Sequence, residues 1–203
     1  MSIAEKLTQI AENEQAVYEA GKDTERKAFW GAFQNYGNPR SYKQCFMLAG
    51  GDNMAWNAES FKPVYTFNAT NAYQMFYTFG LSEIPVPIDI TAASSTDYMF
   101  DNSGALVTIS ELIVSESTVF TTTTFRWCGR LANLKITGTV GTTLNLQYSP
   151  LSKASIESVI NALSDTVEGK TLTLKATAKT AAFTDDEWAA LIGTKPNWTI
   201  SLV

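Results

Sequence analysis

Five acidic residues in the middle of the chain have the side chains most suited to catalysis: Asp89, Asp97, Asp101, Glu111 and Glu116. Two carboxyl groups that flank a glycosidic bond can hydrolyse it, one as the general acid and the other as nucleophile or base. This is a common chemistry that needs no histidine, and the chain contains none. The competing interpretation places these carboxylates in solvated turns or at sheet edges. No spacing in the sequence indicates that any two of these carboxyl groups lie together, as hydrolysis requires.

The lack of histidine argues against most other catalytic and metal sites. Histidine is the commonest general base, the usual partner of a serine or cysteine nucleophile, and the commonest metal ligand. Cys45 and Cys128 are too far apart in sequence for the close pair typical of a zinc site. We therefore expect reduced cysteines in the core, no cofactor and no enzymatic activity.

Charge and hydropathy limit the partners. Lysine and arginine number 15 against 20 acidic residues, a formal net charge of -5, so a nucleic-acid partner is not expected. The segment Met1–Lys6 lacks the basic start and apolar run of a secretion signal, and no apolar run approaches the roughly 18 residues of a membrane span. These features predict synthesis in the cytoplasm without membrane insertion.

A short apolar pattern recurs three times near the end of the chain, in Leu144–Leu146, Leu172–Leu174 and Ile200–Leu202, with 28 residues between successive copies. A fixed period of this length is typical of stacked repeats, in which each unit buries its apolar face on the next. Shorter periods precede it, because Met99–Phe100 follows Met75–Phe76 by 24 residues and Leu134–Ile136 follows Leu112–Val114 by 22. The pattern predicts an α/β fold: a leucine-rich-repeat-like solenoid over residues 72–203, with an N-terminal helix.

The polar residues between the apolar ladder positions would line one face of that solenoid. They are Lys135, Asn145, Thr173 and Ser201. Glycan or protein recognition there is only weakly indicated, because any solvated sheet face carries such residues.

Two helices are predicted near the C-terminus. Ser152 can cap a helix whose apolar stripe contains Ile156, Val159, Ile160 and Leu163. Thr184 and Glu187 form a capping-box pattern, Phe183 can pack on Trp188, and Gly193 ends the second helix. The acidic run Asp185–Glu187 is then explained as first-turn residues favoured by the helix dipole.

Residues 1–35 are predicted to form a helix with a narrow apolar seam, made by Ile3, Leu7, Ile10 and Val17. A stripe this narrow is marginal as an isolated helix, so it must dock on its own chain or pair with copies of itself. If the copies pair, mixed leucine and isoleucine along the seam favour three or more strands, and we expect a homotrimer.

Residues 36–71 form an aromatic-rich segment that we interpret as a cap on the solenoid. Fourteen of the 24 aromatic residues lie between Phe29 and Phe79. Aromatic crowding of this kind can cover the open end of a repeat stack, or it can form a face that binds carbohydrate or protein.

Two resemblances accompany these patterns. The methionine–phenylalanine pairs and the string from Phe125 to Ile136 resemble degenerate leucine-rich repeats of the BspA type. The whole chain resembles a family of small proteins carried by phages and prophages of gut Firmicutes, through Met1–Glu14, Ala28–Trp30, Glu59–Pro63, Ser152–Ile156, Asn161–Ser164 and Thr194–Ile200. Membership of that family implies a structural component of the tail or baseplate region.

The resulting expectation is a non-enzymatic virion structural protein of the tail, baseplate, a fibre or a capsid appendage, with a part in host-surface attachment. Its expected partners are other virion proteins and a host-surface glycan or protein. It would be made in the host cytoplasm and released by lysis as part of the virion. The alternatives are a bacterial surface adhesin with BspA-type repeats and, behind it, a glycan hydrolase.

Overall fold

A computed structural model of the chain describes the strand Arg40–Ser41 and, without interruption, residues 66–203. The predicted helix over residues 1–35, with its seam residues Ile3, Leu7, Ile10 and Val17, lies outside the described residues. Most of the predicted aromatic cap over residues 36–71 lies outside them too. The described part of that segment contributes two strands to the first sheet.

The first sheet contains six parallel strands: β1 (Arg40–Ser41), β2 (Phe67–Asn71), β3 (Glu83–Ile84), β4 (Ile88–Asp89), β5 (Thr108–Val114) and β6 (Asn133–Gly138). β5 is its centre. The first half of β5 pairs with β3, the second half pairs with β4, and β6 lies along its other side. β2 and β1 follow beyond β4. Apolar side chains such as Ile109, Leu112 and Val114 point inward and are buried.

The second sheet contains three parallel strands: β7 (Leu144–Leu146), β8 (Lys170–Leu174) and β9 (Trp198–Leu202). Leu144 pairs with Leu172, which pairs with Ile200, and the two later positions of each strand follow in register. The adjacency and register predicted from the 28-residue period are therefore confirmed. Leu144 and Leu172 are fully buried, as the alternation requires.

The predicted fold class, a leucine-rich-repeat-like solenoid over residues 72–203, is wrong, and the N-terminal helix predicted with it lies outside the described residues. The strand β1 and residues 66–203 form two separate parallel sheets with few helices, instead of one continuous ladder. Beyond the end of β6 at Gly138, a single bridge joins Val140 to Leu163, which lies after the helix Lys153–Asn161. Within residues 66–203 helices begin only at Lys153, so the earlier strands are connected by turns.

Proline and a register shift explain where the repeat pattern fails in the first sheet. Pro85 and Pro87 lie beside the two-residue strands β3 and β4, and proline has no N–H to donate to a ladder. The 22-residue spacing aligns Leu112 with Leu134, but Leu112 pairs with Ile136 and Leu134 pairs with Ile109. A β-bulge between Ile109 and Leu112 accounts for the difference.

Three helices follow β7 in the described residues: α1 (Lys153–Asn161), which contacts β6 of the first sheet, α2 (Ala176–Ala182) and α3 (Asp185–Gly193). The two predicted helices are confirmed. The Ser152 side chain caps α1, and Thr184 and Glu187 form a complete capping box on α3. The Phe183 ring lies 5.6 Å from that of Trp188, as the predicted contact requires. α2 was not predicted, because its sequence of alanine and threonine has no apolar stripe.

The core of the first sheet contains a stack of phenylalanine rings from successive turns. The centroids of Phe76 and Phe100 are 5.5 Å apart and those of Phe100 and Phe125 are 5.1 Å apart, both pairs nearly parallel. All three residues are buried. The recurring methionine–phenylalanine pairs therefore belong to the core. In the described part of the chain, no helix has the length and apolar character needed to cross a membrane.

Candidate functional site

Three turns follow strands of the first sheet, at residues 73–78, 97–102 and 122–127. Backbone hydrogen bonds join each turn to the next: Phe76 N–H donates to Met99 O at 2.8 Å, and Asn102 N–H donates to Arg126 O at 2.9 Å. Because the turns stack in this way, residues separated by about 25 positions come together on one surface. Among the described residues, this surface carries the non-glycine residues with a positive φ and the half-exposed Trp127.

Within residues 66–203, five non-glycine residues have a positive φ, and all five lie in these turns. They are Gln74 (51°), Thr78 (52°), Tyr98 (57°), Asn102 (60°) and Trp127 (58°). Glycine adopts this left-handed conformation at little cost, whereas a bulky side chain is an outlier there. The tyrosine and the tryptophan are held in it by the stacking of the turns.

We call Tyr73, Tyr98, Arg126 and Trp127 the aromatic–arginine surface. The Arg126 guanidinium lies over the Trp127 ring, 4.4 Å from its centroid, and 5.5 Å from the centroid of Tyr98. Tyr98 in turn contacts Tyr73 edge to face at 6.0 Å. Trp127 remains 52% exposed, although tryptophan is usually largely covered in folded proteins. The surface is thus a set of aromatic rings arranged around one guanidinium.

A buried carboxylate fixes the position of that guanidinium. Asp101 is fully buried, and it accepts from Arg126 Nε at 3.0 Å and from Nη2 at 2.7 Å. This bidentate geometry is the strongest form of a carboxylate–arginine pair. The hydrogen bond to Asp101 raises the pKa of Arg126 above its ordinary value. Arg126 is therefore a rigid and charge-balanced support for the two rings.

The five acids predicted as catalytic candidates do not form one site around a common point. Asp89 accepts from the N–H and hydroxyl of Thr91, and Asp97 accepts from the Ser95 hydroxyl, as turn residues do. Asp101 is the buried partner of Arg126. These three carboxylates are explained by local structure.

Glu111 and Glu116 are ionised more readily than an ordinary glutamate. The hydrogen bonds from Lys135 and Thr137 lower the pKa of Glu111, and those from Ser164 and Thr166 lower the pKa of Glu116. A general acid in glycan hydrolysis needs a raised pKa to stay protonated. The pKa values of Glu111 and Glu116 are both lowered, so neither carboxyl group suits the role of general acid.

Glu116 belongs to a cleft of about 520 Å³ beside the ends of β5 and β6. Its carboxylate accepts from Ser164 and, at 2.9 Å, from Thr166. Lys195 is nearly buried in the same cleft and donates to Leu163 O at 2.6 Å and to Asp165 at 2.7 Å. These bonds join segments that are 30 to 50 residues apart in sequence. We interpret the cleft as the junction between the two sheets.

The polar face predicted along the ladder forms only in part. Asn145, Thr173 and Ser201 lie side by side on β7, β8 and β9, as expected. Lys135 lies on the first sheet, where it donates to Glu111 at 2.7 Å. The face therefore does not extend over all four residues.

The cysteine and metal predictions can be followed in the described region. Cys128 is a free thiol that is fully buried, and burial raises its pKa to about 12, so the prediction of a reduced core residue is confirmed for it. Cys45 lies outside the described residues. Among residues 66–203, no three potential metal-binding side chains of histidine, cysteine, aspartate or glutamate form a cluster.

The aromatic–arginine surface was not predicted, because Trp127 lies within the apolar string from Phe125 to Ile136. The spacing of the apolar residues around Trp127 could have identified this surface. Phe125, Cys128 and Leu131 are buried, whereas Trp127 falls between the inward positions. Tyr73 and Tyr98 are also 25 positions apart, one more than the 24-residue spacing between their turns.

Comparison of the chain with protein-family models, curated proteins and solved structures finds no match.

Proposed function

We propose that this chain is a non-enzymatic structural protein of a phage virion that contributes to attachment to the host surface. Its position would be in the tail, the baseplate, a fibre or a capsid appendage. The protein would be made in the host cytoplasm, assemble with other virion proteins and leave the cell by lysis.

The observation that carries the attachment role is the outward Trp127, held on Arg126 at 4.4 Å and still half exposed. A large aromatic ring held rigidly at the surface offers contact area at low entropic cost, as binding sites require. The virion assignment is supported by the resemblance of the opening and closing segments to small phage and prophage proteins.

The carboxylates support a binding role better than hydrolysis. Glu111 and Glu116 have lowered pKa values because each accepts hydrogen bonds from neighbouring side chains. Asp101 is fully buried against Arg126 and has a structural role. Each of these side chains has a partner within the chain that explains its presence.

Density-gradient centrifugation of phage particles tests the virion role. An antibody against the purified chain is used to follow the protein in a lysate of the host after phage induction. The proposal predicts that the protein bands with the particles and stays with them after a high-salt wash. Recovery only in the fractions of free protein would contradict it.

A further inference from the structure

Trp127 of the aromatic–arginine surface has a counterpart in each of the two preceding turns, Thr78 and Asn102. The three occupy equivalent places in successive turns, with φ values of 52°, 60° and 58°. Asn102 belongs to the residue types that tolerate the left-handed conformation, whereas Thr78 is β-branched and is an outlier there, as a bulky residue is. Trp127 places the largest side chain where glycine would be the least strained choice.

The Trp127 ring has one covered face and considerable free area. Arg126 lies over the ring at 4.4 Å, and the residue is 52% exposed. The π-electron face of an indole is electron-rich and attracts weakly positive C–H groups. A pyranose ring presents such a flat C–H face, so its shape and its charge distribution both match the exposed ring.

Hydrogen-bonding groups lie in the turns next to that of Trp127. Asn102 N–H donates to Arg126 O, and the Asn102 carboxamide extends to the Thr78 hydroxyl at 3.3 Å. The Thr123 hydroxyl lies 3.3 Å from Tyr98 N. A flat apolar ring with amide and hydroxyl groups beside it is the combination that a sugar needs, since sugar hydroxyls must replace their bonds to water.

The charges near the surface favour a neutral ligand. Asp101 neutralises Arg126 through two hydrogen bonds, so little attraction for an anion remains. Asp97 places a further carboxylate one residue before Tyr98. The net charge of the whole chain is -5. With the exposed Arg130 three residues after Trp127, the charges in this part of the chain balance, and the negative net charge of the whole chain disfavours an anionic sugar.

A protein partner fits these features less well. A stable protein interface covers about 800 Å² on each side and has an apolar centre. The Trp127 ring contacts Arg126, which also contacts Tyr98, and threonine and asparagine lie in the adjoining turns. A single exposed ring among polar groups is the right size for one sugar unit.

We infer that Trp127, with Arg126 and Tyr98, forms a subsite for a neutral pyranose unit of a glycan. The inference rests on the proposed attachment role, because it names the ligand class that the surface recognises. Arg126 holds the tryptophan ring in place, and Asp101 holds Arg126. The sugar stacks on the free face of Trp127.

Calorimetric titration of the full-length protein with tetrasaccharides tests this inference. The neutral probes are cellotetraose, maltotetraose and the tetramer of N-acetylglucosamine, and the anionic probe is tetragalacturonate. Trp127→Gly removes the ring at a position whose φ suits glycine, so the fold is retained. Val119→Ala is the matched control, because Val119 is 55% exposed in the same part of the chain.

The expected result is binding of at least one neutral probe, weakened about tenfold or more by Trp127→Gly because a stacking contact is lost. Val119→Ala should bind like the original protein, Trp127→Phe should retain part of the affinity, and tetragalacturonate should bind more weakly. The inference is overturned if no neutral probe binds, if Trp127→Gly binds unchanged, or if tetragalacturonate binds as tightly. Such a failure leaves the gradient experiment unaffected, because particle association does not depend on the sugar.

Discussion

At the scale of single residues, the pair formed by Arg126 and Asp101 determines whether the aromatic–arginine surface can exist. Asp101 is fully buried and Arg126 is about one third exposed. A buried carboxylate requires a partner, because its desolvation is costly. The same guanidinium supports Trp127 and Tyr98, so one ion pair joins the core to the surface.

Replacement of Arg126 tests this dependence. Arg126→Met should lower the midpoint of urea unfolding at neutral pH, because it leaves a buried charge without compensation. The double variant Asp101→Asn/Arg126→Met should recover much of the loss, since asparagine has no charge to compensate. Arg130→Met, which changes an exposed arginine four residues later, serves as the control. An equal midpoint for Arg126→Met and Arg130→Met would contradict the assignment.

Sequence reasoning succeeded for some residues and failed for others, for identifiable reasons. Cys128 was correctly placed in the core because small apolar residues in an apolar string are usually buried. The positive φ of Tyr98 and Trp127 could not be read from sequence, since nothing local favours it in these residue types. It is imposed by hydrogen bonds to residues about 25 positions away.

At the scale of secondary-structure elements, β5 and β6 lie so close together that one position requires glycine. Gly138 has a φ of +100°, and a Cβ atom there would lie 2.0 Å from Val114 O. Any side chain must push the two strands apart or change the backbone conformation. The end of this pairing also borders the junction cleft, which Val114 and Gly138 both line.

Gly138→Ala should therefore destabilise the protein by about 3 kcal/mol, from backbone strain and overpacking together. Gly104→Ala is the matched control, because nothing lies within 4 Å of a Cβ atom at Gly104 and its φ is not in the left-handed region. Urea unfolding followed by circular dichroism measures both. Equal stability of the two variants would show that β5 and β6 are not packed as described.

The capping box of α3 should make part of the stability depend on pH. The hydrogen bond from Lys153, followed by those from Thr184, lowers the pKa of Glu187 from 4.5 to about 2. A carboxyl group with a lower pKa in the folded state stabilises that state above pH 4.5 and loses this effect as the pH falls toward 2.

Glu187→Gln tests this effect by removing the charge while keeping a hydrogen-bonding side chain. The original protein should have the higher Tm above pH 4.5, and the difference between the two proteins should disappear as the pH approaches 2. Calorimetric scans across this range measure the difference. A difference that stays constant with pH would mean that the charge of Glu187 has no role.

The elements that could be predicted were those determined by local sequence. Ser152 and the Thr184–Glu187 box indicate helix starts because capping is a contact between near neighbours in sequence. Strand pairing in the first sheet was harder, because the bulge between Ile109 and Leu112 changes which residues are opposite each other. Spacing alone does not report a bulge.

At the scale of the whole molecule, the 28-residue period correctly predicted the order and register of β7, β8 and β9. It did not predict that this ladder ends at β7. The segment of residues 163–166, between α1 and β8, makes the connecting contacts: Leu163 forms a bridge with Val140 and accepts from Lys195, and Thr166 donates to Glu116. The 28-residue period therefore predicted the second sheet, but it did not predict that the strands are divided between two sheets.

Oligomerisation remains a prediction of the sequence, since the seam of Ile3, Leu7, Ile10 and Val17 lies outside the described residues. If the seam forms a three-stranded coiled coil, the double substitution Leu7→Asp/Ile10→Asp should change the mass in solution from trimer to monomer, because it places charges at apolar seam positions. Light scattering coupled to gel filtration measures this mass. A full-length protein that is already monomeric would favour docking of the helix on its own chain.

The attachment role is tested most directly by binding of the purified full-length protein to intact host cells. The labelled protein, its Trp127→Gly variant and its Val119→Ala variant are incubated with the cells, and the bound fraction is measured after sedimentation. The account predicts saturable binding that Trp127→Gly lowers about tenfold and Val119→Ala leaves unchanged. Equal binding of all three proteins, or no binding by any of them, would contradict it.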